Sequence, residues 1–344
     1  MIIITNKVKK IILLIFLTIF IISALINNYE VKNSVKKSIM FCTNSLIPSV
    51  FPLMVITGIL SNISINDLFS KKSILDKCRN YNFDIILGNL CGFTAGAKNI
   101  TDKYKNSSKN SILYSNSVIL STNAGIAYVI SFVGIYIWNS IIFGILLYFL
   151  QIFASYILGK LILPKSNESN ENLDIRQMSI FNNITNSISS GTLSIAYICG
   201  YTIFFSVILD LILIIPFNKS LSSLLSSLTE ISRGITDIMN LNSNILASFF
   251  TGFSVGFGGF CVALQIFSCC KDAPLNKGLY LMFKLIQGVI CGFGAIALTK
   301  LLNLNVSKIK DVILINSFTI HNALIASLFL ISLIAIIKNK IRKF

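Results

Sequence analysis

From Ile11 to Ile337 the chain is a series of apolar runs, most of them long enough to cross a bilayer, with the charges gathered mainly in the gaps between them. A spanning segment of about 20 residues finds no water for its backbone and must satisfy its own N–H and C=O groups. Runs of this kind read as helices, so the chain is expected to be an integral membrane protein and not one large soluble core. Only 12% of its 344 residues are charged and 54% are hydrophobic, with a mean hydropathy of +0.78. A soluble domain carries about 25% charged residues.

The formal charge is +16, from 29 Lys and Arg against 13 Asp and Glu. A basic balance can signal nucleic acid, but these lysines sit in loops and tails between apolar spans. The positive-inside rule and anionic lipid headgroups explain that placement, and no nucleic-acid partner is expected. Of the 8 cysteines, Cys42, Cys91, Cys199, Cys261 and Cys291 lie in apolar stretches, and Cys269 and Cys270 are adjacent. Without C-x-x-C spacing neither a disulfide framework nor a zinc site follows.

The runs fall into two series. Lys7, Lys9 and Lys10 precede Ile11–Ile26, which no A-x-A-like cleavage site follows and which reads as an uncleaved first span. Ile39–Leu60 is a second span, in which Pro48 and Pro52 predict a kink or a short preceding hairpin. After the basic loop Ser61–Asp84 comes Ile85–Asn99, too short to cross and broken by glycine. Ile112–Tyr136 and Asn139–Leu163 follow as full spans, then the polar linker Pro164–Gln177. The second series comprises Ile188–Ile215, the weakly apolar Leu221–Asn240, Ile245–Cys269 and Leu279–Leu302. Val312–Ile337 is a last span ahead of the basic tail Lys338, Lys340, Arg342 and Lys343.

Each series thus reads span, short interrupted segment, Gly-containing span, span. With the N-terminus inside, Lys71–Arg79, Lys98–Lys109 and the tail also lie inside, and corresponding spans of the two series run in opposite directions. The expected fold is an all-α polytopic membrane protein with about eight transmembrane helices and two re-entrant or broken segments in an inverted repeat. The boundaries expected are 1–33 for an N-terminal transmembrane helix, 34–163 for repeat one and 164–187 for the linker. Repeat two is expected over 188–302, and a C-terminal helix with its tail over 303–344.

The short segments carry the motifs. Gly92–Lys98 reads GFTAGAK and is followed by Asn99. Irregular backbone at membrane depth is tolerated only against protein or a cavity, and in secondary transporters such breaks mark the substrate site. Gly92, Thr94, Gly96, Lys98 and Asn99 are therefore candidate ligands. The counterpart Thr229–Gly234 (TEISRG) supplies Glu230, Arg233 and Gly234. Glu230 and Arg233, at i and i+3, stand on one helix face where they can pair, and ionisable groups at this depth are usually functional.

Thr251–Phe260 (TGFSVGFGGF) places Gly252, Gly256, Gly258 and Gly259 in an apolar span. Each costs about 1 kcal/mol in a helix, which predicts close packing at Gly252 and Gly256 and a local break at Gly258-Gly259, two further candidate ligands. Gln265 follows as a candidate ligand. Ser254 completes G-x-S-x-G, but with His321 the single histidine and no strand–turn–helix context it is not read as a nucleophile. In Ser121–Ala127 (STNAGIA), Thr122 and Asn123 are placed to hydrogen-bond a polar ligand or a neighbouring helix. Asp210 reads as facing a cavity mouth, Lys284 as snorkelling from a span's end, and His321 as structural. No enzyme, metal site or cofactor is expected; a coupling ion is left open, with Glu230 its candidate.

At GFTAGAK, LTEISRG and SVGFGGFCVALQ, in that order, the chain resembles the YlbJ-type sporulation integral membrane proteins. These carry the nucleoside-recognition Gate domain related to concentrative nucleoside transporters. The likeness covers roughly Ser34–Leu302, although family members usually have proline where Thr94 stands, and the Asn123 loop also lacks proline. It implies a bacterial protein of endospore formation that moves dipicolinic acid from the mother cell across the outer forespore membrane. Dipicolinate is a small dianion, and two opposed half-helix N-termini with Lys98 and Arg233 suit its carboxylates. The expected partners are this small anionic substrate and anionic lipid headgroups, with self-association left open. The alternatives are a carrier of nucleosides or other small solutes on the same scaffold, and a non-transporting membrane scaffold for spore assembly.

Overall fold

The computed structural model describes residues 6–61, 81–107, 110–164 and 179–305. The loop bearing Lys71–Arg79, nearly all of the polar linker, and the last span with His321 and its basic tail lie outside the described residues. Among the described residues every regular element is helical. Helix α1 (Asn6–Ile26) leaves Leu14, Ile19, Leu25 and other large apolar side chains uncovered by protein, as a helix facing lipid does.

Helices α2 (Asn28–Phe41) and α3 (Ile47–Ser61) form one long rod through a π-turn at Cys42–Leu46, where the Ile47 N–H reaches back to the Cys42 carbonyl. The wider turn sits just ahead of Pro48 and Pro52, which cannot donate to the ordinary ladder. The span continues through the prolines without the hairpin the sequence allows.

Gly92 then separates α4 (Asn82–Cys91) from α5 (Phe93–Ser107). Its φ of 111° is a backbone conformation suited to glycine. In one continuous helix Gly88 and Gly96 would stand about 12 Å apart. Here a Cβ on Gly88 would lie 2.7 Å from the Gly96 Cα, so the chain folds back on itself as a helical hairpin. Helix α6 (Ser111–Ser121) stops at Thr122, and the chain runs irregularly to Gly125 before resuming as a π-wound helix, Tyr128–Ile137. The expected full span Ile112–Tyr136 is thus divided into two short pieces. Helix α7 (Ile141–Ile162) packs along the π-wound helix, with Gly134 against Gly144.

Helix α8 (Ile180–Ile212) begins ahead of the expected Ile188 and takes in the end of the expected linker. A second hairpin follows, α9 (Lys219–Thr229) and α10 (Ile231–Asp237), folded at Glu230 so that a Cβ on Gly234 would lie 2.6 Å from the Ser227 Cα. Helices α11 (Asn244–Phe257) and α12 (Gly259–Cys269) are interrupted at Gly258 and Gly259, with φ of 82° and 85°, and α13 (Lys277–Leu301) returns beside them.

Among the described residues five helices are long and apolar enough to cross a bilayer: Asn28–Ser61, α7, α8, Asn244–Cys269 and α13. The protein is an all-α integral membrane protein. One order recurs along it: α3, hairpin, broken helix, α7; then α8, hairpin, interrupted helix, α13. Glycine lets the last pair of the second series meet closely, since a Cβ on Gly252 would overlap the Cys291 carbonyl and one on Gly256 would lie 2.9 Å from the Gln287 carbonyl.

Gly252→Ala is expected to cost about 1–3 kcal/mol by overpacking that seam. Gly200→Ala on α8, where nothing lies within 4 Å of the added carbon, is expected to be neutral or to stabilise by up to about 1 kcal/mol. Thermal unfolding followed through Trp138, the single tryptophan, reads both. Equal melting temperatures for the two variants would contradict the close α11–α13 packing.

Candidate functional site

The four backbone interruptions meet. In the first series Gly92 abuts Gly125: a Cβ on Gly92 would lie 3.2 Å from the Gly125 nitrogen, and one on Gly125 2.7 Å from the Cys91 carbonyl. In the second, a Cβ on Gly259 would lie 2.9 Å from the Thr229 carbonyl and 3.1 Å from the Glu230 nitrogen. Each hairpin turn therefore packs into the break of its own series. The contacts repeat in detail, because Ser121 stands against Gly96 as Ser254 stands against Gly234. The series also touch each other: the Phe93 ring covers Gly258, 3.0 Å from where its Cβ would be, and the Tyr128 hydroxyl lies 3.5 Å from the Ser232 Oγ.

Beside the Gly92–Gly125 contact lies a buried polar network centred on Asn123. The Asn123 Oδ1 accepts from the Lys284 Nζ at 3.0 Å and the Gln287 Nε2 at 2.7 Å. The Asn123 Nδ2 donates to the Asn89 Oδ1 at 2.8 Å and the Leu120 carbonyl at 3.2 Å. Lys284 also donates to the Gln287 Oε1 at 2.9 Å, and the Gln287 Nε2 donates to the Gln151 carbonyl at 3.0 Å. The Gln151 side chain bridges both backbone groups of Ala124, at 2.7 and 3.2 Å. The Gln151 side chain of α7 and the Asn123 amide thereby bond backbone groups that α6 leaves open where it breaks, while Asn89 of α4 and Lys284 and Gln287 of α13 hold the Asn123 side chain in place. Lys284 is fully buried, which corrects the expectation that it snorkels.

The Glu230–Arg233 pairing expected from i, i+3 spacing does not form. Glu230 is buried and caps α10, its Oε2 accepting from the Arg233 backbone N–H at 2.8 Å. The Arg233 guanidinium turns instead to Asp210 on α8, with Nη2 2.6 Å from Oδ1. Lys98 on α5 likewise reaches α8, donating to the Ser190 carbonyl at 2.7 Å and the Ser194 Oγ at 2.8 Å. Both hairpins are thus tied to one helix through their cations. The first hairpin carries a further buried tie, Asp84 accepting from Lys103 at 2.7 and 2.9 Å and from Ser61 at 2.8 Å.

Of the other expected ligands, Thr94 is buried at the start of α5, and the Thr122 Oγ1 donates to the Ile119 carbonyl at 3.1 Å. Asn99 keeps a buried Nδ2 with no partner among the described residues. Gln265 is buried one turn along α12 from Cys261, whose Sγ it meets at 3.4 Å, away from the Asn123 network. Gly258 and Gly259 form the break between α11 and α12, Gly258 under the Phe93 ring and Gly259 against the Thr229 carbonyl. In the turn after α12, Lys105 beside Asp272 holds that carboxyl below its usual range. Among the described residues no group of three His, Cys, Asp or Glu is placed to hold a metal.

Lys284, Gln287 and Gln151 are central members that motif reading passes over. A signal exists for the two on α13: Lys284, Gln287 and Cys291, at i, i+3 and i+7, share the face on which Gly288 and Gly292 also lie. Comparison with family models, curated proteins and solved structures gives no match. The family resemblance therefore rests on the quoted motifs alone.

Asn123→Ala strips the acceptor from two buried donors, one of them charged, and is expected to cost about 3 kcal/mol or more. Gln265→Met, which replaces a weak sulfur contact with apolar volume, is expected to stay within about 1 kcal/mol. Melting curves of both variants decide; an Asn123→Ala protein as stable as the parent would contradict the network.

Proposed function

We propose that the protein is a membrane carrier for a small anionic metabolite. In this reading it has about eight spans, α4–α5 and α9–α10 are re-entrant hairpins, and the two series form an inverted repeat. One observation carries the proposal: two hairpin turns lodge in the breaks of two interrupted helices, and each series reaches across to the other's break, Phe93 to Gly258 and Lys284 and Gln287 to Asn123. Irregular backbone gathered in this way is the arrangement in which carriers bind solutes near the bilayer midplane.

The cargo follows from the resemblance and is dipicolinate, moved from the mother cell across the outer forespore membrane. The N-terminus of α5, at Gly92 to Thr94, is the end offered to a carboxylate, since the start of α10 already holds the Glu230 carboxylate. Lys98 and Arg233 join the site by exchanging their α8 partners, Ser194 and Asp210, for cargo oxygens. Cargo binding then releases both hairpins from α8, which links occupancy to movement.

Spores from strains carrying Lys98→Gln or Arg233→Gln test this reading, with protein level checked by immunoblot. Dipicolinate content is expected to fall by about tenfold, the effect of losing roughly 1.4 kcal/mol of binding, and to recover when dipicolinate is supplied outside the developing spores. Normal dipicolinate at normal protein level would sink the assignment and favour another cargo or a scaffold.

A further inference from the structure

We propose that the oxygens around the Lys284 Nζ form a cation site which the protein fills with its own tethered ammonium, so that no exchangeable Na+ or K+ occupies that place. Lys284 lies within α13 and is 0% exposed. Its described hydrogen-bond partners are both amide oxygens, the Asn123 Oδ1 at 3.0 Å and the Gln287 Oε1 at 2.9 Å. Among the described residues it makes no ion pair. A lone charge of this kind is costly in an apolar interior unless the surrounding dipoles favour its sign.

Here they do. The ammonium donates to the side chain of Asn123, two residues past the end of α6 at Ser121, on the carboxyl side of a broken helix, which carries the negative pole of the helix dipole. A site awaiting an anion would turn N–H groups inward. In this one the donors are already committed elsewhere: the Gln287 Nε2 goes to Asn123 and Gln151, and the Asn123 Nδ2 goes to Asn89 and Leu120. Oxygen atoms remain for the centre, which is the ligand type of hard cations. Half-helix carboxyl ends and uncoiled backbone hold the coupling cations of many carriers. In this chain the place is taken by an ammonium tethered to the backbone, which cannot diffuse away, and the Thr122–Gly125 break is expected to stay closed whatever the salt.

Shortening the side chain should therefore create a site for a free cation. Full-length protein in detergent is melted in NaCl, KCl, propylammonium chloride and N-methylglucamine chloride at equal ionic strength, and Trp138 fluorescence is followed. The parent protein is expected to melt at one temperature in all four salts. Lys284→Ala is expected to melt lower in N-methylglucamine and to regain on the order of 5 °C in Na+ or propylammonium, as binding linkage requires. Lys284→Met, which fills the place with apolar volume, is expected to ignore the cation. Stabilisation of the parent by Na+, an equal Na+ response in Lys284→Met, or a Lys284→Ala protein that no cation restores would each overturn the proposal. The readout is stability, so the outcome is decided whether or not the protein moves dipicolinate.

Discussion

Backbone satisfaction in an apolar surround governs this structure. A helix that stops inside a membrane protein leaves carbonyls and N–H groups that water cannot reach. This chain stops helices at Gly92, Thr122, Glu230 and Gly258, and it answers the breaks at Thr122 and Glu230 with neighbouring polar groups. Glu230 caps α10, the Gln151 amide bridges Ala124, and Asn123 binds Leu120 and Asn89. The small residues follow from the same need. At Gly92, Gly125 and Gly259 a side chain would strike the backbone of the neighbouring break, and the groups that compensate one another would be driven apart.

Charge is distributed by the same logic. Asp84 is buried but bonded to Lys103 and Ser61, and Arg233 faces Asp210, so these ions have partners that offset desolvation. Such ties do little for net stability but fix which surfaces meet. Lys98 and Arg233, one from each hairpin, both end on α8. That helix is the common point to which both hairpins are tied. Lys284 differs, since it is held by dipoles and not by a countercharge.

The sequence made the architecture readable where backbone chemistry is local. Glycine spacing in GFTAGAK and TGFSVGFGGF marked the turn at Gly92, the break at Gly258 and the close packing of Gly252 and Gly256. Glu230 and Asn123 stood out as polar residues in short apolar context, and both sit at breaks. What the sequence hid is tertiary. Nothing in i, i+3 spacing tells that Arg233 prefers Asp210, more than twenty positions away, to Glu230. Lys284 read as snorkelling because its distance from a helix end says nothing about which side faces α6. Gln151 and Gln287 are single amides in apolar helices, and only the three-dimensional placement of Ala124 and Asn123 gives them a role. The helical start at Ile180 was masked by the polar residues of that stretch, which packing and the Ser179 cap outweigh.

The central claim is that the paired hairpins and broken helices carry a small dianion across the membrane. The most direct measurement is counterflow of labelled dipicolinate into proteoliposomes holding the full-length protein and preloaded with unlabelled dipicolinate, with no ion gradient imposed. The account predicts transient uptake above protein-free vesicles, competed by other small aromatic dicarboxylates and insensitive to replacing Na+ with K+. Uptake no greater than in empty vesicles, with the protein shown to be folded and inserted, would contradict it.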